Sequence, residues 1–107
     1  MLKRFVAEVF HSYDEFIKNF QIKVPSNFNF AYDVADKIAE EAPEKIAIVW
    51  CDDQGNFCNL NFSMIKEYSS RAAHFFKRFG IQKGDRVMLI LKRRYEFWFA
   101  LLGLHKI

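Results

Sequence analysis

The sequence has few of the residues that mark dedicated chemistry. Only three histidines are present, His11, His74 and His105. No two of them lie at the short spacing that a helix or turn uses to hold a metal. The two cysteines, Cys51 and Cys58, are too few for the disulfide framework of a small secreted chain, so both are expected to be free thiols. The four glycines, Gly55, Gly80, Gly84 and Gly103, form neither a dinucleotide fingerprint nor a phosphate loop. No apolar run reaches the roughly 18 residues of a membrane span. The basic start, Met1 to Arg4, is not followed by an uninterrupted apolar stretch and a small-residue cleavage site. A cytoplasmic location is the expectation. Charge of one sign is also scarce: 16 Lys and Arg stand against 13 Asp and Glu. With no basic stripe interleaved with aromatics, nucleic acid is not an expected partner.

Large apolar side chains are plentiful. Half of the residues are hydrophobic, and 13 of the 107 are phenylalanine. A chain of this length has little interior volume for so many rings, so some are expected to face a partner surface. A low charged fraction argues against disorder.

Ser12 and Glu15 have capping-box spacing and open a helix whose face carries Tyr13, Phe16, Ile17 and Phe20. Pro25 lies beyond its end. Asn29 caps a second helix, Phe30 to Ala42, with Phe30, Val34, Ile38 and Ala42 as its apolar stripe. Asp36, Lys37, Glu40 and Glu41 mark its wet face, and Pro43 ends it. Residues 45–51 and 57–61 read as two strands joined at Asp52 to Asn56. A two-residue turn would set Cys51 opposite Cys58. The bulged turn that Gly55 favours would set Cys51 opposite Phe57.

Asn61 or Ser63 starts a third helix running to Phe79, with Gly80 as its stop. Arg86 to Leu91 reads as a strand, and its Val87 to Leu91 run is apolar without alternation, which suits a strand covered on both faces. Strand, helix and strand would make a right-handed β-α-β unit. Residues 95–107 then read as a helix apolar on nearly every side, one that requires burial all round. The expected fold class is α/β: a mixed sheet with a β-hairpin and a β-α-β unit flanked by helices. Residues 1–27 supply a helix and connector, and residues 28–107 the α/β part. The pattern reads as cut in mid-fold, which makes self-association through residues 95–107 an expectation. Lys92, Arg93 and Arg94 follow the carboxyl end of the 86–91 strand, where open α/β sheets place ligands. They precede a helix, however, and so oppose its dipole. A solvated or inter-domain charge cluster is the better reading.

The order of these pieces carries a resemblance. The segments are Phe28 to Val34, Ile46 to Trp50 with Gly55, Phe62 to Ile65, Ser70 to Ala73, Gly80 to Val87 and Tyr95 to Trp98. Together they resemble the beginning of the adenylate-forming (AMP-binding) acyl-CoA synthetases, particularly the medium-chain and acetyl-CoA synthetase-like members. The resemblance implies an incomplete N-terminal part of that enzyme fold, with the remainder of the polypeptide as its partner. It implies a parent ligase that uses ATP, magnesium and coenzyme A to convert a carboxylic acid, a fatty acid above all, to its acyl-CoA through an acyl-adenylate. The family's phosphate loop, its adenine and magnesium motif, its ribose-binding aspartate and its C-terminal lysine have no counterpart here. No catalytic, cofactor-binding or metal residue is therefore assigned. The segment alone is expected to be inactive and to bind none of these cofactors. Another adenylate-forming ligase, or a free-standing α/β interaction module, is the alternative.

Overall fold

A computed structural model describes residues 5–6 and 9–107. Helix α1 spans Tyr13–Asn19, and the Ser12 hydroxyl accepts from the Glu15 amide at 3.1 Å. The Glu15 carboxylate accepts in return from the His11 amide, one residue outside the usual capping box. Part of the expected 1–27 segment lies outside the described residues. Among those described, Val6 bridges Ile22 and the Lys23 amide donates to the Phe5 carbonyl.

The second helix departs from regular α geometry. Ala31–Asp36 forms a π-helical turn, which continues as α2, Lys37–Glu41. Asn29 caps it as expected, its side-chain oxygen accepting from the Ala31 amide while Asp33 accepts from the Asn29 amide. The wide turn leaves Val34, Ala35 and Asp36 buried in succession. The assignment of Asp36 to the wet face is thus corrected: it is 6% exposed, and the cause is a partner 70 residues away, described below.

Strands β1, Ile46–Cys51, and β2, Phe57–Asn61, pair antiparallel. Gly55 has φ +83° in the connecting turn, and Cys51 faces Phe57 while Trp50 faces Cys58. This is the bulged alternative, and it keeps the two free thiols off the same pair. The Asp52 carboxylate braces the turn, accepting from the Gln54 and Asn56 amides and from the Asn56 side chain. These bonds, the Asn56 side chain first, hold its carboxyl below the ordinary range.

Helix α3, Phe62–Arg78, starts at Asn61, whose side-chain oxygen accepts from the Met64 amide at 2.9 Å. The Asn61 amide group also donates to Glu44. Asn61→Ala is expected to lower the unfolding free energy by about 1 kcal/mol, measured as a shift in urea midpoint at unchanged slope. Gly80, at φ +83°, ends the helix in the left-handed conformation. Helix α4, Glu96–His105, packs back along α3. The core gathers Ala31, Ala35, Leu60, Ile65 and Leu102, with Ala47, Ile48, Tyr95 and Phe99 against it.

The mixed α/β class holds. One of its expected parts is corrected: residues 86–91 form no strand, so the β-α-β unit lacks its closing strand. A strand needs a ladder partner, and the sheet of the described residues contains β1 and β2 alone. Met88 and Ile90 consequently point outward, more than 80% exposed. Helix α4 is half-covered rather than enclosed; Leu102 and Gly103 are buried, while Trp98 is exposed. The radius of gyration, 17.0 Å, exceeds the about 13 Å of a chain this long folded around one core, so several apolar faces remain uncovered.

Candidate functional site

The most elaborate polar constellation joins the π-helical turn to the end of α4. Lys106 is 7% exposed. Its ammonium lies 2.8 Å from Asp36 Oδ1 and 3.1 Å from Ser70 Oγ, with the Lys66 carbonyl at 3.5 Å. Tyr32 closes the arrangement. Its ring faces the ammonium at 5.5 Å, and its hydroxyl donates to the Lys106 carbonyl at 3.2 Å. The Asn29 side chain donates to the neighbouring His105 carbonyl. The π turn, α3 and α4 are thereby fixed to one another at a single point. Three acceptors occupy the three protons of the ammonium, so this lysine is built as a clamp rather than as a nucleophile. Sequence reasoning missed Lys106, because nothing local distinguishes it from a surface lysine after a helix.

Beside the clamp, α3 and α4 approach closely at Gly103. A Cβ placed there would lie 2.8 Å from Ala72 Cβ, 2.9 Å from the Ala73 nitrogen and 2.9 Å from the Ser69 carbonyl oxygen. The small residues Ser69, Ala72 and Ala73 make this approach possible.

The basic cluster behaves differently. The Trp50 indole donates to the Arg93 carbonyl at 2.6 Å, and Arg93 adopts φ +38°. Arg94 turns onto Glu96 with two guanidinium nitrogens, holding that carboxyl below its ordinary value of 4.5. Asp52 and Asp53 line the same depression as Lys92, Arg93 and Arg94, so no concentrated positive field forms. Lys92, Arg93 and Arg94 are all exposed. Because the Glu96 carboxyl titrates lower in the folded chain, its contact stabilises the fold above about pH 4.5 and is lost as pH falls through the lowered value. Both groups are partly exposed and screened by solvent, so the effect is small. Glu96→Gln is expected to flatten that acid-side slope, read from urea midpoints across the acidic range, with variant and parent converging at the lowest pH.

His11, His74 and Cys51 are exposed, and His105 lends only its carbonyl to a structural bond. Among the described residues no three His, Cys, Asp or Glu side chains converge as metal ligands.

The arrangement is a hairpin beside two packed helices, with the clamp fixing the π turn, α3 and α4 to one another. The sequence profile of the AMP-binding enzyme family matches residues 35–107, which span α2, the hairpin, α3 and α4. The chain belongs to the AMP-binding enzyme family. Acyl-coenzyme A synthetase ACSM2A, mitochondrial, of Homo sapiens is 38% identical over 87 residues, covering 76% of this chain and 15% of the relative. The mouse acyl-coenzyme A synthetase ACSM3, mitochondrial, is 33% identical over 97 residues, 85% of this chain and 17% of the relative. The rat acyl-coenzyme A synthetase ACSM4, mitochondrial, is 36% identical over 90 residues, 78% of this chain and 16% of the relative. The chain thus spans about one sixth of the relatives it matches. These names overturn the expectation of a cytoplasmic location, since the similar proteins are mitochondrial. That expectation rested on the lack of a cleavable apolar leader, and organellar transit peptides need none.

Proposed function

We propose that this chain is a scaffold segment of an ATP-dependent acyl-CoA synthetase, forming part of a wall rather than the reacting centre. The observation that carries this reading is the family match over α2 to α4, where the buried polar side chains Asp36, Ser69 and Lys106 bond to neighbouring elements and backbone within the chain. In the parent enzyme ATP and magnesium would activate a carboxylic acid as its acyl-adenylate, and coenzyme A would accept the acyl group. The acid is a fatty acid, a reading supported only by likeness to the medium-chain branch. A free-standing interaction module is disfavoured by the same family match.

Incubation of the 107-residue chain with ATP, magnesium, coenzyme A and octanoate is expected to release no pyrophosphate above a protein-free blank. Calorimetric titration with ATP and magnesium is expected to show no binding heat. Turnover by the chain alone would remove the scaffold reading.

A further inference from the structure

We draw no further inference here: the strongest candidate, the exposed apolar patch of Met88 and Ile90 on the connection between α3 and α4, is an unpartnered face, and nothing in the structure shows what covers it.

Discussion

Replacing Lys106 by methionine is expected to lower the unfolding free energy by about 3–5 kcal/mol, the largest effect of any single change considered. The aliphatic stem is retained, so little packing is lost. What is lost is the only cation paired with Asp36 among the described residues, and the Asp36 side chain is 9% exposed. A carboxylate left in that position keeps its desolvation cost without its partner. Ser70 can turn its hydroxyl, but that hydroxyl already donates to the Lys66 carbonyl at 2.8 Å. The second variant separates charge from geometry. Asp36→Leu added to Lys106→Met removes both polar groups, and most of the lost stability is expected to return. Urea denaturation of the parent, the single and the double variant measures both steps. If the single variant were as stable as the parent, Asp36 and Lys106 would not be clamping α4 to the π-helical turn.

Gly103→Ala is expected to destabilise by about 1–3 kcal/mol, although alanine favours a helix interior by nearly 1 kcal/mol over glycine. The added methyl cannot be accommodated by a side-chain rotation, because two of the three nearest atoms belong to the α3 backbone. Helix α4 must move away from α3, and that movement also lengthens the Lys106 bonds to Ser70 and the Lys66 carbonyl. The two substitutions share a structural element and are expected to be non-additive in a double-mutant cycle. A stabilised Gly103→Ala variant, with its thermal midpoint raised by helix propensity alone, would mean that the two helices do not pack this closely.

Features held together by neighbours in the chain were legible from the sequence. The Ser12 and Asn61 caps, the Gly55 turn with its pairing of Cys51 and Phe57, and the stop at Gly80 each depend on residues within a few positions. Features set by distant residues were not. Asp36 occupies what a regular helix would make its polar side, and only the wide turn together with Lys106 brings it inside. Gly103 carries no turn or positive φ; its importance lies in Ala72 and Ala73 some 30 positions earlier. The 86–91 run showed the converse. Its composition suits a strand covered on both faces, but strand formation requires a ladder partner that composition does not supply. Charge clustering at residues 92–94 was visible as sequence, whereas the bond that commits Arg94 to Glu96 required coordinates.

We propose that residues 35–107, which match the AMP-binding enzyme family, fold as an interchangeable wall segment of an acyl-CoA synthetase. The most direct measurement is acyl-coenzyme A formation by a chimera of the human relative in which these residues replace the matched segment. The chimera is expected to fold and to retain synthetase activity, and the same chimera carrying Gly103→Ala is expected to lose activity in step with its thermal stability. A chimera that is soluble and folded, with the parent's helix content, yet forms no acyl-coenzyme A would contradict the account.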